Sequence, residues 1–287
     1  MFYPLVPERQ YLMPTHFGPA PGPRQSPTGD RFARPDQRQL KMRGAVVKAE
    51  AAALRAMLPP GFVLAGAAEL TFVFTYMTNI AWLGGRGYNT LSVTMDTLYS
   101  GPGGPARGPL MLVLWENMCD PIITGREQLG IAKIPCELPE PTVSGTSIRC
   151  DAAWCGFKFL ELTIDDIVDG APPAPLDPEP GERGGVAHLR YLPRIGLTGG
   201  AAVAEAVLTP NSETGTDIIR TQIGRGSISI SQTRWEDMPT QVHIIEALRE
   251  AITGEVVSTF LIDAVGAGDL GGQILLGPVA VDGVGRD

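Results

Sequence analysis

Glycine and proline punctuate this chain throughout, supplying 35 and 26 of its 287 residues. Neither suits a helix interior, so helices are confined to the few stretches that lack them. What lies between the breaks is mostly extended in character. Leu91-Ser92-Val93-Thr94-Met95-Asp96 alternates apolar and polar side chains, and so does Ser227-Ile228-Ser229-Ile230-Ser231. A period of two fits a half-buried strand. Comparable runs cover 41–47, 69–77, 91–99, 110–115, 147–151, 156–162, 186–192, 201–208, 217–223, 227–233, 255–261 and 273–281. The series predicts a fold that is mainly β with a few helices, as a barrel or sandwich. Two helices are expected. An alanine-rich one over 49–58 stops at Pro59-Pro60-Gly61. A second, over 243–252, sets Ile244, Ile245, Leu248 and Ile252 on one face and stops at Gly254.

Residues 1–37 are proline-rich and broken by Gly18, Gly22 and Gly29, so they form an irregular N-terminal arm. Residues 38–287 form a single domain. The stretch 171–185 is a surface loop within it.

The net charge of −8 argues against nucleic acid, which needs a basic face. No apolar run of about 18 residues is present, so no membrane span is expected. Residues 1–9 lack the basic-then-apolar order of a secretory signal, and a cytoplasmic location follows. Cys119, Cys136, Cys150 and Cys155 show no metal-binding spacing and read as buried free thiols, although Cys150 and Cys155 flank Trp154 closely enough to lie near one another. The three histidines, His16, His188 and His243, are scattered. No metal site and no cofactor is expected.

The chemistry concentrates in Gly125-Arg126-Glu127-Gln128-Leu129-Gly130-Ile131-Ala132-Lys133. Lys133 is flanked by Ile131, Ala132, Ile134 and Pro135. A lysine amine is a nucleophile only when neutral, and burial disfavours its charged form. With an ordinary pKa near ~10.4, about one amine in 2,500 is neutral at pH 7. Bringing the pKa to about 7 takes roughly 4.6 kcal/mol of bias against the ammonium. Full burial, worth ~3–5 pKa units, can supply that.

This segment resembles the signature of the acetoacetate decarboxylase superfamily, in which Gly-Arg-Glu is followed by a glycine and a Schiff-base lysine. Weaker resemblances flank it in order. They are the helix ending at Pro59, Leu192-Pro193 before Val203-Ala204-Glu205, and Trp235 before His243–Leu248. The resemblance spans roughly residues 38–282. It implies a closed, bent β-barrel or cone, Lys133 as the catalytic residue, a small-molecule carbonyl substrate and a homo-oligomer.

Departures matter as much. In acetoacetate decarboxylase a neighbouring cation activates the reactive lysine. That cation is a second lysine directly after the first, and here Ile134 follows Lys133. The decarboxylase's upstream Tyr-x-Glu aligns with Tyr88-Asn89-Thr90, so Thr90 stands at the glutamate position. Its second pocket glutamate has no counterpart, since 70–77 holds no carboxylate. Arg38 is the nearest candidate for its pocket arginine. The resemblance therefore nominates Tyr88, Thr90, Gln128, Arg126, Glu127 and Arg38 as substrate-binding residues. Arg126 and Glu127 also fit a structural ion pair or turn anchor. A shell of hydroxyls and an amide, in place of carboxylates, favours aldol condensation with dehydration on an oxo acid. Decarboxylation of acetoacetate or another β-keto acid is one alternative. A non-covalent small-molecule binding or cyclase barrel is another.

Overall fold

The computed structural model describes residues 5–30, 37–196, 199–211, 216–266 and 272–279. Its first half comprises β1 (Gln39–Ala49), α1 (Ala51–Ala56), β2 (Phe62–Leu64), β3 (Glu69–Thr78), β4 (Tyr88–Tyr99), β5 (Ala106–Glu116) and α2 (Cys119–Thr124). A π-helical turn, Gly125–Leu129, leads into β6 (Lys133–Pro135). There follow β7 (Thr142–Ser144), β8 (Ser147–Trp154), β9 (Phe157–Asp169), β10 (Arg183–Pro193), β11 (Ala201–Pro210) and β12 (Thr216–Ile230). The last elements are α3 (Val242–Ala251), β13 (Ile252–Gly266) and β14 (Ile274–Pro278).

The expected strands are present, with differences in extent. The runs 217–223 and 227–233 are one strand, β12, whose ladder to β9 carries an irregularity between Ile223 and Arg225. The glycines there interrupt the apolar pattern without ending the strand. The helix expected over 49–58 is shorter, because Ala49 completes β1 and pairs with Ile252. Residues 280 and 281 of the last expected run lie outside the described residues.

All fourteen strands join one sheet, in the order β14-β11-β10-β5-β4-β3-β1-β13-β12-β9-β8-β7, with β2 added on β4 and β6 on β5. The expectation of a closed barrel is corrected. Among the described residues no ladder joins β14 to β7. The two edges are unsuited to pairing. β7 is three exposed residues, and β14 is five residues ending in Pro278, which has no N–H to donate. The sheet is nevertheless strongly bent. Six strand-to-strand steps of about 4.8 Å separate β5 from β9 along the sheet. Yet the rings of Trp115 and Phe159 lie 5.2 Å apart.

Register divides the central strands into two unlike faces. One carries Phe74, Leu91 and Trp115 in a direct row, all fully buried in the main core. The other carries two rows that end at Lys133 and Glu116. Phe260, Gly44, Val73, Ser92, Leu114 and Lys133 lie side by side across β13, β1, β3, β4, β5 and β6. Ile262, Met42, Thr75, Thr90 and Glu116 form the next row on that face. Gly44 is required there by space, since a Cβ would stand 2.3 Å from the Phe260 ring.

The two neighbours of β5 on this side divide its length. β10 pairs in parallel over Ala106 to Leu110, and β6 over Leu114 to Glu116. Gln241, just before α3, ties the β6 end to the core. It accepts a hydrogen bond from Trp115 Nε1 at 2.7 Å and donates one to the Pro135 carbonyl at 2.9 Å. Gln241→Leu leaves a buried indole N–H unpaired and should lower unfolding stability by about 1–3 kcal/mol, read from urea denaturation.

Candidate active site

Lys133 reaches its place through the segment that the glycines shape. α2 passes without a break into the π-helical turn, and Gly125 at the junction has helical dihedrals of φ −65° and ψ −41°. The lysine side chain lies across it. A Cβ on Gly125 would stand 2.4 Å from Lys133 Cε and 2.8 Å from Nζ. Gly130 ends the turn in the left-handed region at φ 75°, where a side chain would be strained. Arg126 is exposed and donates to the Lys133 carbonyl at 2.8 Å, so it clasps the turn to β6.

The Lys133 side chain is buried. Its Nζ lies 2.8 Å from Glu116 Oε1 and donates to the Pro121 carbonyl at 3.0 Å. Glu116 is 1% exposed, and its Oε2 meets no hydrogen-bond donor among the described residues. Burial pushes the Lys133 amine below its usual range, opposed by the Glu116 charge and assisted by Arg38. Burial likewise pushes the Glu116 carboxyl up, opposed by Lys133. The two affinities for a proton approach one another across a hydrogen-bonding distance.

Other nominated residues divide into two groups. Tyr88 is buried with its ring centroid 6.0 Å from Lys133 Nζ, and burial and Glu116 raise its hydroxyl pKa. Thr90 is buried directly opposite Glu116 across the β4–β5 ladder, on the same face. Arg38 is close enough for its charge to act on both Lys133 and Tyr88. Gln128 points elsewhere. It lines a cavity of about 250 Å³ with Arg24, Arg190, Glu205 and Gln273. The Glu127 carbonyl accepts from Arg190 at 2.9 Å, and no ion pair joins Arg126 to Glu127 among the described residues. These two anchor backbone.

Two residues near the amine were not nominated from the sequence. Glu116 ends the apolar run of β5, and its carboxylate gives the site the acid group that the aligned positions lack. Its sequence signal was a lone carboxylate after five strand residues, Met111–Trp115. His188, on β10, is 2% exposed, with Nε2 3.0 Å from Thr209 Oγ1. Burial, then the Lys133 charge, pushes its pKa down to about 4. The cysteines also differ from expectation. Cys136 and Cys150 are buried, but Cys119 and Cys155, at the start of α2 and on the β8–β9 turn, are exposed.

The glycine beneath the lysine and the buried histidine can each be tested by stability. Gly125→Ala should destabilise the protein by about 1–3 kcal/mol through the clash with Lys133, and by less than about 0.5 kcal/mol in a Lys133→Ala background. Denaturant unfolding of the four proteins measures the cycle. His188 binds its proton in the unfolded chain below its ordinary pKa of 6.5, and in the folded protein only below about 4. Between those values the unfolded state holds more protons, so stability falls as pH falls, by up to about 3 kcal/mol. His188→Gln should remove that part of the acid sensitivity between pH 6.5 and 4.

The sequence matches the family described as Acetoacetate decarboxylase (ADC) over residues 12–267. No curated protein sequence matches it. Among solved structures, an acetoacetate decarboxylase superposes with a TM-score of 0.65 at 12% identity, covering 86% of this chain and 91% of that one. An acetoacetate decarboxylase-like enzyme from Sphingomonas wittichii RW1 gives 0.63 at 15% identity, covering 84% and 92%. The enduracididine biosynthesis enzyme MppR, complexed with pyruvate, gives 0.62 at 17% identity, covering 88% and 95%. MppR is also similar when complexed with the condensation product of pyruvate and imidazole 4-carboxaldehyde, with a TM-score of 0.62 at 18% identity, covering 88% and 94%. At these identities the likeness is one of fold, and the matched sequence model adds the kinship: this chain belongs to the acetoacetate decarboxylase family.

Proposed function

We propose that the protein is a Schiff-base lyase of the aldol type, acting on an oxo acid through Lys133. The observation that carries this reading is the buried Lys133–Glu116 pair, with Nζ and Oε1 2.8 Å apart. The neutral amine adds to the ketone carbon of the substrate. Glu116 returns a proton to the resulting hydroxyl, which leaves as water, and an iminium remains. Glu116, now a carboxylate, takes a proton from the adjacent carbon, and the electron pair of that C–H bond forms an enamine. The enamine carbon bonds to an aldehyde, whose oxygen takes the proton. Loss of that hydroxyl as water gives the unsaturated product, and hydrolysis of the iminium frees Lys133. Tyr88 and Thr90 border the reacting atoms, and Arg38 supplies positive charge for the substrate carboxylate.

Glu116 changes the ground for choosing between reactions. A missing carboxylate had favoured aldol chemistry, and a carboxylate is present. Its position supports the same choice for a different reason. Decarboxylation makes the enamine by losing carbon dioxide and needs no base at the adjacent carbon. Aldol chemistry makes it by losing a proton, and Glu116 beside Nζ is placed to take one. The MppR condensation-product complex is in keeping with this reading.

Borohydride reduction with pyruvate should add the pyruvyl mass at Lys133, and Lys133→Met should abolish the adduct. Glu116→Gln should slow trapping by at least about tenfold, the lower range for loss of a general acid–base group being 10²-fold. Carbon dioxide release from acetoacetate without any aldehyde-dependent product would reassign the reaction to decarboxylation. Absence of every adduct over a broad panel of oxo acids, with Lys133→Met unaltered in ligand binding, would leave the pair a structural one.

A further inference from the structure

Gln128 belongs to the motif that ends at Lys133, yet it lines a different cavity, of about 250 Å³, with Arg24, Arg190, Glu205 and Gln273. Three strands build the walls. Arg190 on β10 and Glu205 on β11 stand opposite one another in their ladder. Gln273 directly precedes β14, which pairs with β11 on its other side. Arg190 commits two of its donors to fixed partners. Its Nη1 donates to Glu205 Oε2 at 3.1 Å, and its Nη2 donates to the Glu127 carbonyl at 2.9 Å. Arg24, from the N-terminal arm, donates to the Gln128 carbonyl at 3.3 Å. Two arginines thus hold the turn that precedes Lys133, and the cavity lies among their side chains.

Four buried polar atoms of the lining residues meet no hydrogen-bond partner among the described residues. They are Arg190 Nε, Gln128 Oε1, and both Nε2 and Oε1 of Gln273. A buried polar group without a partner loses its hydration and gains nothing in return, so each such group needs a reason. Here they amount to two donors and two acceptors. The Gln273 count is the same whichever way its amide is turned. Both glutamines are half-buried, and a terminal amide torsion is broad, so these amides can turn to a ligand without moving the backbone.

We propose that this cavity is a second binding site, for a small hydroxycarboxylate. The carboxylate accepts from Arg190 Nε and Gln273 Nε2, and its contact with the guanidinium is charge-assisted. Two hydroxyls donate to Gln128 Oε1 and Gln273 Oε1. An acceptor-only anion such as sulfate answers the two donors and leaves both amide oxygens unpaired. Glu205 repels a second carboxylate. The volume is below the ~300–1,000 Å³ of sites for drug-sized molecules, which selects a small ligand. The proposal is independent of the Schiff-base reading, because none of these side chains takes part in the Lys133 chemistry.

The test is calorimetric titration with glycerate, which carries one carboxylate and two hydroxyls, against propanoate, glycerol and sulfate. Glycerate should bind at one site per chain, at least about tenfold tighter than any of the others, equivalent to about 1.4 kcal/mol. Gln273→Leu should weaken glycerate binding at least about tenfold. Gln128→Leu gives the same reading if the first variant does not fold. Lys133→Met should bind glycerate as the parent does. Propanoate, glycerol or sulfate binding as tightly as glycerate, or no saturable binding of glycerate, overturns the proposal and assigns the polar atoms to solvent. Glycerate binding that survives the glutamine substitution, or that is lost in Lys133→Met, lies elsewhere and equally overturns it.

Discussion

Everything in the candidate site depends on one strand pairing, the three-residue parallel contact of β6 with β5. It sets Lys133 opposite Leu114, on the face where Glu116 stands two residues on. A shift of one residue would turn the amine to the other face and leave Glu116 buried with no cation. A buried unpaired carboxylate costs several kcal/mol. That penalty makes the register a strong constraint although the strand is short. The same contact explains the glycines of the motif. The chain must leave β5, cross its own lysine and return within the segment Asn117–Ala132. Only a residue without Cβ fits beneath the lysine at Gly125.

Much of the fold was legible because strands with a buried face leave a period-two record. Leu91 to Asp96 and Ser227 to Ile230 lie in strands, β4 and β12. The helix at 242–251 was legible for the matching reason, an apolar stripe at period 3.6 with Ile245 and Leu248 buried. Three things were not. Gly224 and Gly226 looked like breaks, but the ladder to β9 and the Thr259 hydroxyl of β13, hydrogen-bonded to the Gly224 backbone, carry β12 through them. Closure of the sheet was an expectation of kinship, whereas the edges are set by local chemistry at β7 and Pro278. Glu116 was hidden because sequence order says nothing about which carboxylate a fold returns to a given lysine.

The candidate residues were legible to differing degrees for a related reason. Lys133 announced itself through apolar neighbours, and its burial follows from the strand they form. Tyr88 and Thr90 alternate on β4, so once one faces the lysine the other must. Arg126, Glu127 and Gln128 sit in a tight turn where neighbours in sequence face different ways. One clasps β6, one gives its carbonyl to Arg190, and one lines a separate cavity. Proximity in the motif did not mean proximity to the amine.

The Gln241 side chain that holds Pro135 is 106 residues away in sequence. During synthesis, Lys133 leaves the ribosome together with β5, long before Gln241 does. Until that residue is made, the short β6 lacks this anchor, and the pairing that sets Lys133 beside Glu116 rests on three residues of β5. The strand that carries the buried pair is thus fastened last, by the C-terminal third folding back on the first.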